Sequence, residues 1–180
     1  TAGGGNIDGG GGIWVQYGTV SNCSMANNNG GGYGGGVKVH DSSLVTHCII
    51  VSNTATFRGA GADLQFAGSG LLRNCLLYGN YGGVAPGAVL LNGGALQNCT
   101  VVSNTCTGTD ASYPGAVGAT DGRPIVNTII RDNIYTVAAP TNFGLYTPAV
   151  TYSCLEFSWP GTGNKVADPL FKDAGRRDYT

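Results

Sequence analysis

Apolar residues along this chain come in short runs that alternate with polar ones, and the same run recurs many times. Val20, Val45, Leu72 and Leu96 each precede a variable residue (Ser21, Thr46, Arg73, Gln97). A corner position follows: Asn22, His47, Asn74, Asn98, Asn127, with Ser153 in the last repeat. Directly after the corner come Cys23, Cys48, Cys75, Cys99 and Cys154, with Thr128 in the one gap, at steps of 25, 27, 24, 29 and 26 residues. Two places further on the chain is apolar again, at Met25, Ile50, Leu77, Val101 and Ile130. A second asparagine closes each unit: Asn28, Asn53, Asn80, Asn104 and Asn133. Period two within each run places one set of side chains inward from a strand.

Three ladders in one phase predict a repeat of about six units, each burying its apolar face against its neighbours. Within one unit, Ala62-Asp63-Leu64, Leu71-Leu72 and Cys75-Leu76-Leu77 form three short runs separated by Gly, Ser and Asn corners. The expected fold is therefore all-β: a triangular solenoid with three short strands per coil and about six coils, each strand paired in parallel with its equivalent one coil away. Stacked cysteines pack inside as small apolar thiols. Asparagine suits the corners, because it tolerates left-handed φ and its amide bonds backbone. Its amides can also bond one another from coil to coil. Insertions of variable length follow the second asparagine, at 29–36, 54–60, 81–87 and 105–115. The chain reads as one domain, 1–180, with regular coils over 9–133 and an irregular last coil and closing segment over 134–180.

Composition narrows the function. Only 11% of residues are charged and the formal net charge is -1. That balance disfavours a nucleic-acid partner and an anionic membrane surface. No apolar run has the length of a membrane-spanning helix, so membrane insertion is not expected. Cys106 stands outside the ladder and is the candidate for an exposed thiol. No metal site is read, since the two histidines, His40 and His47, meet no C-x-x-C pair. The glycine run from Gly30 to Gly36 lacks the Lys-Ser/Thr ending of a phosphate loop. It also lacks the aspartate of a calcium-binding repeat, and no cofactor is indicated.

The G-[GA]-[VA]-x-[VL] first strand, the N-C-[TIL]-[VIL] corner and the S-N-T closing turn, spread over Gly9 to Asn133, resemble right-handed parallel β-helix proteins of the pectin-lyase-like superfamily. The glycine-rich form is similar to the repeats of polymorphic outer-membrane proteins. Tyr152-Ser153-Cys154, Gly163-Asn164, Asp168-Pro169-Leu170-Phe171-Lys172-Asp173 and Asp178-Tyr179 are similar to the ends of β-helix regions in large secreted bacterial proteins with choice-of-anchor segments. The resemblance implies a right-handed coil, a bacterial extracellular or cell-surface location, and a DPLF stretch that closes the helix.

Many relatives of that fold cleave polysaccharides, with clustered carboxylates and a basic residue in a groove. The outward row of the first strand is read as Trp14, Lys38, Asp63, Val89 and Val117. It offers one acid beside one base, which reads first as a cross-strand ion pair. His40, Asp41, Lys38 and Asp63, with Arg58 near them, form the weak catalytic alternative. Outward aromatics (Trp14, Tyr17, Tyr33, Phe57, Phe66, Tyr78 and Tyr81) suit glycans and protein contacts equally. Ile49, Leu76 and Ile129 make an outward apolar row that wants a cover.

The function expected is structural or adhesive, with a carbohydrate-active enzyme or carbohydrate-binding module as the alternative. Partners expected are further domains of a longer parent chain or other copies stacking head to tail, with Ile13, Val15 and Val20 meeting residues near Leu170 and Phe171.

Overall fold

The computed structural model describes residues 10–65, 70–84, 86–107, 116–136, 147–176 and 178–179. It is a parallel β-solenoid. The first sheet stacks β1 (Ile13–Gln16) on Val37–His40, Ala62–Gln65, Val89–Leu91 and Val117–Ala119. The second runs from β2 (Thr19–Ser21) to Ala149–Thr151, and the third from β3 (Ser24–Ala26) to Cys154–Leu155. All these pairings are parallel. Among the described residues the first sheet has five strands and the next two have six, so about five turns are complete where six coils were expected.

Among the described residues, four coils also have a fourth side that the three-strand reading missed. Thr54–Ala55, Tyr81–Gly82, Thr105–Cys106 and Ile134–Tyr135 form a narrow parallel sheet directly after the second asparagine. Two residues are too few to show alternation, so this side looked like loop. Cys106 lies in it and is 1% exposed, so the expected exposed thiol is buried.

The corners are left-handed. Asn22, His47, Asn74, Asn98, Asn127 and Tyr152 have φ between 49° and 54°. The next corner repeats the device at Asn27, Ser52, Gly79, Ser103 and Asp132. Short polar side chains and glycine bear this conformation at least cost.

The two asparagine ladders differ in weight. The first is exposed or half-buried, with Asn98 Nδ2 donating to Asn74 Oδ1 (3.2 Å) and Asn127 Nδ2 to Asn98 Oδ1 (3.0 Å). The second is internal. Backbone N and Nδ2 of Asn53 both donate to Asn80 Oδ1, those of Asn80 to Asn104 Oδ1, and those of Asn104 to Asn133 Oδ1, all at 2.8–3.0 Å. Each Nδ2 also reaches a carbonyl of the preceding coil: Asn53 to Met25, Asn80 to Ile50, Asn104 to Leu77. The ladder leaves no room beside it. A Cβ at Gly36 would stand 2.8 Å from Asn53 Nδ2, and one at Gly61 3.2 Å from Asn80 Nδ2.

That small position explains a one-residue correction. Gly36 and Gly61 are followed by the first-sheet strand, but later coils fill the same place with Ala88 and Ala116. Counting from the last glycine therefore misplaces the register, and the outward row is Trp14, Lys38, Asp63, Leu90 and Gly118.

The thiol ladder is corrected at both ends. Cys48, Cys75 and Cys99 are buried, each donating to the carbonyl two residues back at 3.1–3.2 Å. Thr128 and Ser153 do the same with their hydroxyls (3.0 and 2.9 Å). The last rung is thus Ser153, and Cys154 takes the outward place in register with Ile129. Cys23 is exposed, because it lies on the first coil and nothing among the described residues stacks below it. None of the six cysteines is in a disulfide.

The far end is closed by the chain itself. Asn164 Oδ1 accepts from Ser153 N (3.1 Å), Thr162 and Lys165 accept from Tyr152 and Leu155, and Trp159 packs on the core. The DPLF stretch does not close the helix; it turns back along the outside of the third sheet. Tyr179 stacks on Tyr78 (5.6 Å) and Phe171 (5.2 Å), and its hydroxyl bonds Ser103 (3.2 Å). Leu170 and Phe171 lie beside Arg131 and Asp132 on this flank, not across the end of the rod.

Asn80→Ala removes the shared acceptor of the Asn53 backbone N–H and Nδ2, and one donor each from the Ile50 carbonyl and Asn104 Oδ1, all enclosed. It should cost roughly 3 kcal/mol or more in urea unfolding, whereas Asn98→Gly keeps the left-handed corner and should cost less than about 1 kcal/mol. In the folded chain, a thiol reagent should modify Cys23 first and leave Cys48, Cys75, Cys99 and Cys106 untouched until unfolding. Without reductant, the unfolded chain should then yield all six thiols.

Candidate functional site

The residues singled out for chemistry converge on the outer face of the first sheet. Trp14, Lys38 and Asp63 share one row, and Gln16, His40 and Gln65 the next. Alternation in the strands puts both rows on the outward side. This face is roofed. The glycine-rich segments between coils run over it, and a Cβ at Gly34 would lie 3.1 Å from the Lys38 Cβ, one at Gly59 3.1 Å from the Asp63 Cβ. Both glycines have φ near 60°, a second reason for glycine there.

Under this roof Lys38 is 4% exposed and Asp63 fully enclosed. Asp63 Oδ2 accepts from Gln65 Nε2 at 2.7 Å, while Oδ1 is buried and accepts no hydrogen bond. Loss of water raises the Asp63 carboxyl to about 7, against the downward pull of Lys38, the Gln65 bond and Arg58. The Lys38 ammonium stands 5.6 Å from the centre of the Tyr33 ring, and Tyr33 leans on Phe57 (5.9 Å). His40 makes an edge contact with Trp14 (5.7 Å). Burial and the Lys38 charge lower its pKa, with Asp41 acting in the opposite sense. Asp41 sits at the corner, where its Oδ2 accepts from Gln16 Nε2 (2.7 Å).

The structure thus brings His40, Lys38 and Asp63 onto one face and leaves Asp41 at its rim. Among the described residues no three His, Cys, Asp or Glu side chains converge as metal ligands.

The aromatic candidates do not form one surface. Trp14 (59%) and Tyr17 (74%) are exposed on the first coil, Phe57 and Tyr81 stand out on later ones, and Tyr33 is half-buried. Tyr78 is covered by the chain's own tail, and Phe66 lies outside the described residues. Of the apolar row, Ile49 is exposed, while Leu76 and Ile129 are half-buried. A cleft of about 340 Å³ was not anticipated. It opens along the exposed amide ladder and is lined by Asn98, Thr100, Asn127, Ile129, Tyr152 and Cys154, among others. Its sequence signal was the Asn22-to-Asn127 repeat, which had been assigned to structure alone.

No family model, curated protein or solved structure matches this chain. The solenoid fold therefore stands on the chain's own strand pairing.

The Asp63 carboxyl makes stability depend on pH. Because folding raises its pKa, the stabilising contribution of the protonated form is complete below the unfolded value near 4. It is lost as pH rises through about 7. Asp63→Asn should match the parent at pH 4 and exceed it above pH 7, by about 4 kcal/mol at most. Urea unfolding of both chains across this range measures the difference.

Proposed function

We propose that this chain is a structural or adhesive β-solenoid of the bacterial extracellular or cell-surface kind, a rigid spacer joined end on to further coils. The observation that carries this reading is the edge of the first coil. Among the described residues β1, β2 and β3 pair on one side only. Ile13 and Val20 are half-buried there, while their partners Val37 and Val45 are wholly enclosed. One more coil of the same grammar, from a longer parent chain or from a second copy whose closing segment around Trp159–Lys165 has moved off its last coil, would bury Ile13, Val20 and Cys23 and satisfy the strand edges. Burial of Lys38 and Asp63 favours this reading over a lyase or hydrolase, whose acid must meet a polymer.

A glycan-binding role is the second reading, favoured by the cleft where Tyr152 stands beside the amides of Asn98 and Asn127. Retardation by a polysaccharide in affinity gels, lost in Tyr152→Ala, would promote it.

For the first reading the test is association. Light scattering of the 180-residue chain should show mass rising with concentration. Val20→Lys, which puts a charge on the open edge, should stay monomeric with an unchanged circular dichroism spectrum. A parent chain that remains monomeric at every concentration would exclude copy-to-copy stacking.

A further inference from the structure

The two asparagine rows differ in how they are tied to the backbone. In the internal row each Oδ1 of Asn53, Asn80 and Asn104 accepts a backbone N–H, and each Nδ2 donates to a backbone carbonyl. None of these amides can turn over without breaking such bonds. In the exposed row the backbone serves itself: the N–H groups of His47, Asn74, Asn98 and Asn127 donate to the carbonyls of Arg73, Gln97, Val126 and Thr151. Among the described residues its side-chain amides bond only along the row. Turning an amide over exchanges its oxygen and nitrogen in place. The exposed row can therefore run in either direction with the same number of bonds, and its end decides which.

His47 is that end. Asn74 Nδ2, a donor, meets His47 Nε2 at 3.1 Å, so this nitrogen accepts. The ring proton is then on Nδ1, bonded to Thr46 Oγ1 at 3.0 Å. From there Asn98 Nδ2 donates to Asn74 Oδ1 and Asn127 Nδ2 to Asn98 Oδ1, which turns Asn127 Oδ1 toward the Tyr152 rung and the cleft.

We propose that this row is a proton-set relay: charging His47 at one end turns the amides over and changes what Asn127 presents to the cleft from an acceptor to a donor. An imidazolium carries a proton on both nitrogens, so Nε2–H would face the Asn74 amino group, donor against donor. Asn74 turns over and accepts from Nε2. Its Nδ2 then donates to Asn98 Oδ1, Asn98 Nδ2 donates to Asn127 Oδ1, and Asn127 Nδ2 is left facing the cleft. The amides turn together, because a single turned member leaves two donors or two acceptors in contact, and bonds in a chain polarise one another. The signal crosses three rungs, about 14 Å. His47 is exposed to solvent, and imidazole is the side chain that changes charge near neutral pH. The strands at this corner and at the corners below and above it, residues 19–26, 44–51 and 71–78, carry no acid. Their titratable or charged groups beside His47 are Cys23, Cys48, Cys75 and Arg73, which is in register with Thr46. The tail, with Asp168 and Tyr179, meets the third sheet elsewhere, at Arg131, Tyr78 and Ser103. His47 is thus a positioning residue for the cleft: a ligand group that only accepts, such as a carbonyl, is favoured in acid. The relay goes beyond the glycan reading and does not rest on it, since the amides turn with the cleft empty.

Nuclear magnetic resonance of the full chain without ligand, followed from pH 8 to pH 4, tests it. The side-chain amide signals of Asn74, Asn98 and Asn127 should shift together, with the same midpoint as the His47 ring. The Asn127 amide protons should move from contact with Asn98 to contact with Tyr152. In His47→Asn, which puts the residue of the other rungs at this corner, all three amides should be independent of pH. In Asn98→Gly, which keeps the corner but cuts the row, Asn74 should still follow His47 and Asn127 should not. Asn98 and Asn127 amides that stay in place while His47 charges would overturn the proposal. So would a His47 ring that stays neutral until the chain unfolds, or shifts that persist in His47→Asn. Retardation by a polysaccharide plays no part in this test, so the two readings fail separately.

Discussion

The internal asparagine ladder is the constraint on which the other features depend. At the corner between the third and fourth sheets each coil must turn while its backbone is enclosed, and buried peptide groups need partners. Asn53, Asn80 and Asn104 solve this with a single side chain, whose oxygen takes two donors and whose nitrogen reaches a carbonyl of the neighbouring coil. Amides bonded in a row polarise one another, so the ladder strengthens as it lengthens. It fixes the vertical register of every sheet. It also dictates what sits around it: a left-handed residue just before, and Gly36, Gly61 or an alanine alongside.

Rows that repeat with constant side-chain demands were legible in the sequence. The parallel solenoid, the inward Val45, Leu72 and Leu96, and the asparagine corners follow from period and spacing. What escaped has local causes. Cys154 matched the cysteine pattern by letter, but Ser153 meets the physical requirement, a small donor to the carbonyl two residues back. Glycine before Ala88 and Ala116 suggested the wrong strand start, because alanine also fits the close approach. The short fourth side is too brief for periodicity, and the path of the tail depends on ring contacts between Tyr78, Phe171 and Tyr179 far apart in sequence. For the candidate site, the Lys38–Asp63 neighbourhood was legible. Its roof was not, since glycine runs say nothing of what they lie against.

Two outer faces of this rod are finished by the chain's own segments. Glycine loops seal the first sheet over Lys38 and Asp63. The aromatic tail lies over part of the third, where Tyr78 meets Tyr179 and Val102 is wholly enclosed outside the main core. Among the described residues, aromatic side chains stay exposed on the first coil, at Trp14 and Tyr17, and beside the amide cleft, at Tyr152.

Amide hydrogen exchange read residue by residue addresses the ladder most directly. The account predicts the slowest exchange at the backbone N–H of Asn53, Asn80 and Asn104, which donate to a side chain of the next coil. Protection should fall toward β1, β2 and β3. Rapid exchange at these three asparagines, with protection concentrated in the strands alone, would show that the ladder does not hold the coils together.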